Sequence, residues 1–244
     1  MELKRFDASF SNLTKLFRKG FYKKPNEFEI NVFSKIADFQ LQALIITSRL
    51  EEDIAEHMTH TKYIFDCVKE SKKISHSESV KSIINFSKLL LDLSDFHIYT
   101  RMFLDALTVG IQRSLINAGK KECAIGDSLS CLLNENQMKV YKEKIDPIFF
   151  GNLEQHLTWV RDLRDSRDGL VHYYHYFVVT TTRKGELGYD EMDRKKVEWG
   201  TDTVKGISVE IQTIIDNITN LMEFLYANLP KKTERGKTER LKKR

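Results

Sequence analysis

Two side chains in this sequence combine suitable chemistry with suggestive spacing. They are Arg167 and His172, in the run Arg167-Asp168-Gly169-Leu170-Val171-His172-Tyr173-Tyr174. A guanidinium is permanently charged and grips an anion with two parallel hydrogen bonds. An imidazole exchanges protons near neutral pH. The residues upstream say how the arginine would be held. Phe149, Leu153, His156, Val160 and Leu163 step by 4, 3, 4 and 3, an amphipathic helical stripe, and one further step of four lands on Arg167. A guanidinium at an inward position needs a partner, a water-filled cleft or an anion. Other constellations are poorer. His57-x-x-His60, with Asp53 and Glu56 nearby, has helical metal spacing but no evident third ligand, so a solvated helix face is expected. Cys123 and Cys131 have no His and Asp at a recognisable spacing. The glycine-rich phosphate loops G-x-x-x-x-G-K-[ST] and G-x-G-x-x-G do not occur. His156, on the apolar stripe, reads as a core histidine with one satisfied nitrogen or as a residue that reaches the site.

The elements that must position these residues are mostly helical. With 3 Pro and 11 Gly in 244 residues, long uninterrupted elements are expected. A long helix is predicted over 27–68, with Phe33, Ile36, Ala43, Leu50, Ile54, Met58, Ile64 and Val68 near one stripe. Ser75-His76-Ser77-Glu78 has the spacing of a capping box and opens a second helix. Its inner face reads Val80, Ile83, Phe86, Leu90, Leu93, His97, Leu104, Leu107, Ile111 and Leu115, up to a cap at Gly119. Residues 127–145 read as one helix or as two short ones broken around 134–136. Asp146-Pro147 starts the next helix, with a capping Asp and then Pro at the first helical position. Residues 173–182, YYHYFVVTTT, are aromatic and β-branched and predict a strand. A turn at 183–186 and a short return over 187–189 complete a hairpin. The last helix is predicted over about 203–228, ended by Leu229-Pro230. The expected fold is mainly α: a bundle of long antiparallel helices with a small β-hairpin inserted before the last helix. Residues 1–26 form an N-terminal basic and aromatic segment, 27–230 a single helical domain, and 231–244 a disordered basic tail.

Arginine, a polar residue directly after it, then His-x-Tyr: the run Arg167 to Tyr174 resembles the R-x4-6-H motif of HEPN domains. More narrowly, it resembles the R-x4-H-x-Y version of HEPN toxins paired with nucleotidyltransferase antitoxins and of abortive-infection ribonucleases. Trp159-Val160-Arg161-Asp162-Leu163-Arg164-Asp165 is similar to the run-in to such motifs. The resemblance covers about residues 146–176. The N-terminal region and the hairpin depart from the minimal toxins. What the resemblance implies is an α-helical bundle, usually a homodimer. It also implies metal-independent cleavage of RNA without a cofactor, through attack of a ribose 2′-hydroxyl on the adjacent phosphate. His172 then moves protons and Arg167 binds the charged phosphate. Asp168 either faces His172 one helical turn on and orients its ring, or is displaced by a bend at Gly169. Arg164 is a second phosphate contact or a surface partner of Asp168. Tyr174 contacts substrate or, by the resemblance, is the hydroxyl that a nucleotidyltransferase-type antitoxin modifies. Trp159, Tyr173, Tyr174 and Tyr176 supply surfaces on which bases stack. The alternative reading is a non-catalytic HEPN-like helical module that dimerises and binds a protein or nucleotide partner.

Composition narrows the classes further. Hydrophobic residues at 41% and charged residues at 30% suit a globular chain and are too apolar for disorder. Three Cys do not make a disulfide framework, which leads to the expectation of reduced thiols in the cytoplasm. The start MELKRFDASF lacks the apolar core of a signal peptide, and the longest uncharged stretch, 169–182, is too short and too polar for a membrane span. The net charge of +4 hides an asymmetry: the tail KKTERGKTERLKKR carries +6, leaving −2 for the rest. That tail either adds attraction to a phosphate backbone or solubilises the end. A second basic cluster, Lys15, Arg18, Lys19, Lys23 and Lys24, alternates with Phe17, Phe21 and Tyr22. It suits either nucleic acid or docking of the aromatics on a core.

Overall fold

The computed structural model describes residues 3–20, 27–118, 126, 128–161, 163, 176–181, 187–192 and 205–230. Among the described residues the principal helices are α1 (Leu3–Gly20), α2 (Glu27–Lys69), α3 (His76–Asn117), α4 (Leu129–Leu133), α5 (Glu135–Lys144), α6 (Pro147–His156) and α7 (Ile207–Asn228). The class is mainly α. Among the described residues no helix is long and apolar enough to cross a membrane.

The expected β-hairpin is corrected. Strands β1 (Tyr176–Thr181) and β2 (Leu187–Met192) pair antiparallel, Tyr176 opposite Met192 and Thr181 opposite Leu187. A third strand, β3 (Lys205–Gly206), lies along the other edge of β2, so the element is a three-stranded sheet in the order β1-β2-β3. The reason is local. Residues 203–206 read as the opening of the last helix, but glycine at 206 is a poor helix residue. Gly206 pairs with Gly188 in the sheet instead, and the helix begins one residue later.

The chain divides into two compact units. The first is built on Leu41–Arg101, where α2 and α3 pack antiparallel. The turn between them is a Schellman motif. Lys72 N–H donates to Cys67 O at 2.8 Å and Ser71 N–H to Val68 O at 3.1 Å, with Ser71 at φ 55, a left-handed position that glycine usually fills. Ser75 Oγ then accepts from Glu78 N–H at 3.3 Å and starts α3, as its spacing predicts. Across the pair, Arg49 Nε donates to Asp92 Oδ2 at 2.8 Å, and a second guanidinium nitrogen binds the other carboxylate oxygen. Leu50, Leu89, Leu93 and Phe96 are fully buried. Two inner-face expectations fail at the far end of α3, because Val80 and Ile83 are exposed. Val68 on α2 is exposed as well.

The second unit gathers α1, the start of α2, the end of α3, α4 to α6 and most of α7. Its center is aromatic. Phe39 and Phe103 stack with ring centers 4.5 Å apart, Phe10 stacks on Phe103 at 5.6 Å, and Phe6 meets Phe39 edge-on at 6.2 Å. Through Phe6 and Phe10, both buried, α1 packs against this core. Phe17, from the basic and aromatic cluster, is fully buried too, and Gly110 makes room for it. A Cβ placed on Gly110 would sit 2.4 Å from the Phe17 ring. Outside the core, Arg5 clamps Glu223 of α7 at 2.6 and 2.9 Å and Asn220 at 2.8 Å. The division of residues 127–145 into two short helices is resolved: Asn134 ends α4 and caps α5, accepting from Gln137 N–H at 3.1 Å.

Gly110 and Gly151 form a matched test. Gly110→Ala forces a methyl into the Phe17 ring and lowers stability by about 1–3 kcal/mol. Gly151, on α6 with open space around a Cβ, accepts Ala and gains up to about 1 kcal/mol of helix propensity. Urea midpoints of the two variants check this. Equal midpoints would remove the close approach from the account of the core.

Candidate functional site

The helix leading to the motif begins as its sequence dictates. Asp146 Oδ1 accepts from Phe149 N–H at 2.9 Å and Pro147 fills the first turn. Along the stripe, Phe149, Leu153, Val160 and Leu163 are buried. His156 is half-buried and stacks on Phe224 of α7 with ring centers 4.6 Å apart.

The continuous helix expected from 147 to 167 is broken. α6 ends at His156, and residues 157–159 form a tighter turn, with Leu157 N–H on Glu154 O and Val160 N–H on Leu157 O, both at 3.1 Å. Trp159 closes it by donating its indole N–H to His156 O at 2.9 Å. That bond satisfies a carbonyl orphaned at the helix end. Helical backbone returns at Val160.

Beside this turn lies a groove of about 540 Å³, lined by His156, Thr158, Trp159, Asn217, Asn220, Glu223 and Phe224. Its walls are aromatic rings and side-chain amides, a combination that accepts a planar, hydrogen-bonding ring. Glu223 stands in it as half of an ion pair with Arg5, which also binds Asn220. The Arg5 hydrogen bond, helped by one from Ser9, holds the Glu223 carboxyl below its ordinary range, and burial opposes this more weakly than the Arg5 bond.

The residues on which the chemistry was read, Arg164, Arg167, Asp168, His172, Tyr173 and Tyr174, lie outside the described residues, as does the tail 231–244. Of the stacking set, only Trp159 has a described side chain, and it borders the groove.

In the unit built on Leu41–Arg101, the structure overturns the reading of His57-x-x-His60 as a solvated face, because both rings are buried. His60 Nε2 lies 2.8 Å from Glu78 O and its Nδ1 lies 3.3 Å from Glu78 Oε2. His57 packs against Phe86, and its Nδ1 has no hydrogen-bond partner among the described residues. Asn85 Nδ2 and Thr100 Oγ1 on α3 share that condition. Burial, with a smaller contribution from the neighbouring His60, pushes the His57 imidazole below its ordinary value of 6.5. Among the described residues no group of three or more His, Cys, Asp or Glu is placed to hold a metal ion. Buried histidines here were not legible because imidazole is polar at its nitrogens and apolar along its edges, so its periodicity carries no sign.

Comparison with family models, with curated proteins and with solved structures returns no significant match to this chain.

The buried His57 makes stability depend on pH in a defined direction. Its folded pKa lies below its unfolded one, so the unfolded chain takes up a proton that the folded chain excludes. This contribution is complete above about pH 6.5 and declines as pH falls below that value toward the folded pKa. His57→Leu removes it. The difference in urea midpoint between about pH 8 and pH 5.5 is therefore expected to shrink in the variant. An unchanged difference would show that His57 does not titrate across unfolding.

Proposed function

We propose that the chain is a metal-independent endoribonuclease of the HEPN type, acting as a toxin or abortive-infection effector. The observation that carries the reading is the run Arg167-x4-His172-x-Tyr174, which follows directly on a helical stripe buried through Leu163. Four residues beyond Leu163 stands Arg167, the next position of that spacing.

In this reading the attacking group is a ribose 2′-hydroxyl. The 2′-oxygen forms a bond to phosphorus while the bond from phosphorus to the 5′-oxygen breaks. The products are a cyclic phosphate and a 5′-hydroxyl. His172 takes the proton from the attacking hydroxyl or delivers one to the departing oxygen, a role suited to a group that titrates near neutrality. Arg167 neutralises the charge that builds on the non-bridging oxygens. Arg164 and Asp168 support these two, and Tyr173 and Tyr174 contact the strand. Tyr174 is also the hydroxyl on which a nucleotidyltransferase-type antitoxin would act. The groove beside Trp159 offers aromatic and amide walls to a base.

Cleavage of a mixed RNA by the wild type, Arg167→Ala and His172→Ala, each in EDTA, tests the proposal. Loss of general acid–base help is expected to slow His172→Ala by about 10²–10⁴-fold. Arg167→Ala is expected to fall by a similar order through lost charge stabilisation. Cleavage at one common rate by all three removes the site. Activity that vanishes in EDTA removes the mechanism. RNA bound but uncut by the wild type favours the non-catalytic module.

A further inference from the structure

Besides its rings, the groove beside Trp159 carries a hydrogen-bonding edge whose sense is fixed by α1. Its lining lies within one compact unit. Asn217, Asn220, Phe224 and Ala227 step by 3, 4 and 3 along α7, one helical stripe, with Glu223 beside it. Arg5 reaches this stripe from α1. An arginine nitrogen only donates, so the Asn220 atom 2.8 Å from Arg5 Nη2 is the carbonyl oxygen. The Asn220 amide keeps its N–H2 group for a ligand. The same Arg5 nitrogen lies 2.6 Å from Glu223 Oε2. Glu223 Oε1 accepts twice, from Arg5 Nε at 2.9 Å and from Ser9 Oγ at 3.2 Å. A carboxylate accepts about four hydrogen bonds, so one position remains, on Oε2. Because one nitrogen binds both residues, a donor on Asn220 and an acceptor on Glu223 stand side by side.

That pairing selects among flat, hydrogen-bonding rings. A groove of about 540 Å³ takes a ligand of nucleotide size. The Trp159 indole has already given its N–H to His156 O, so it offers a stacking surface and no donor. The Watson–Crick edge of guanine presents one acceptor and two donors, that of uracil a donor between two acceptors, and that of cytosine one donor and two acceptors. Adenine presents one donor group, N6–H2, and one acceptor, N1. A single donor beside a single acceptor therefore meets the adenine edge in full. With guanine or uracil one polar group of the base is left over next to Glu223, and a polar group enclosed without a partner weakens binding. Asn217, one turn before Asn220, has no fixed sense and can meet the second acceptor of cytosine. Against cytosine the preference comes from ring size, since a single ring covers less of the indole than a purine does.

We propose that the groove beside Trp159 is an adenine subsite, taking the base of a free adenine nucleotide or of an adenosine within a single strand. The base stacks on Trp159, its N6–H2 donates to Glu223 Oε2, and the Asn220 N–H2 donates to its N1. Arg5 is the positioning residue that fixes both partners. The inference uses none of the motif residues and so stands apart from the ribonuclease reading.

Titration calorimetry of the full chain tests it, with AMP, GMP, CMP, UMP and the 5′-monophosphate of purine riboside, which lacks the 6-amino group. AMP is expected to bind about fivefold or more tighter than the other three natural nucleotides, and about tenfold tighter than the purine riboside compound. Those comparisons need no variant. Asn220→Asp keeps an acceptor for Arg5 and removes the donor to N1. It is expected to weaken AMP about tenfold with an unchanged helical circular dichroism spectrum. A deoxyadenylate tetramer, which has no 2′-hydroxyl to be attacked, separates the two sources. Binding well beyond that of AMP assigns the base to a strand, and equal binding per adenine assigns it to a free nucleotide. No binding of AMP or the tetramer overturns the proposal. So does equal binding of the four nucleotides, and so does a purine riboside compound that matches AMP. RNA cleavage without an adenine preference in binding removes the subsite alone, whereas adenine binding without cleavage removes the ribonuclease reading alone.

Discussion

A carboxylate taken out of water sets the register of the two long helices. Asp92 has a side chain only 4% exposed, and Arg49 meets both of its oxygens. An ion left alone in such a place costs several kcal/mol, so any slip of α2 along α3 that parts the two is heavily penalised. The leucines and phenylalanines around them impose no such rule, since one apolar contact substitutes for another at little cost. A slip of one turn, about 5.4 Å, would return leucine to leucine while stranding Asp92. The same logic works at the far end of the pair, where His60 spans the backbone carbonyl and the carboxylate of Glu78. Hydrophobic burial supplies the attraction between α2 and α3. The polar contacts choose one alignment among several that burial alone would accept.

With the register fixed, the two faces of α3 become distinguishable. A helix of 42 residues is about 63 Å long, roughly twice the diameter of a small domain, so no single core covers it. Apolar residues on both of its sides confuse any reading of its phase. Val80 and Ile83 fit the inner stripe by spacing and lie in solvent, whereas Leu93, Leu104, Leu107, Ile111 and Leu115 fit it and are buried. Helix starts were far more legible than helix faces. Ser75, Asn134 and Asp146 each cap through a side-chain oxygen on a backbone N–H three residues on, an interaction that residue type and spacing specify without tertiary context. The strands are the opposite case. β1 and β2 pair across a gap of five residues, whereas β3 joins β2 from further along the chain and is only two residues long, too short for any periodicity to show.

The break after His156 shows where pattern reading stops. No Gly or Pro stands at residues 157–159. Val160 and Leu163 keep the 4, 3, 4, 3 spacing and remain buried, so the stripe survives while the helix beneath it is interrupted. At the break the Trp159 indole satisfies the carbonyl of His156, a side-chain contact that propensities do not encode. The expectation placed on Arg167 and His172 rests on a different kind of signal. A permanent cation and a titratable ring at a short spacing make a statement about reactivity that needs no fold to be read.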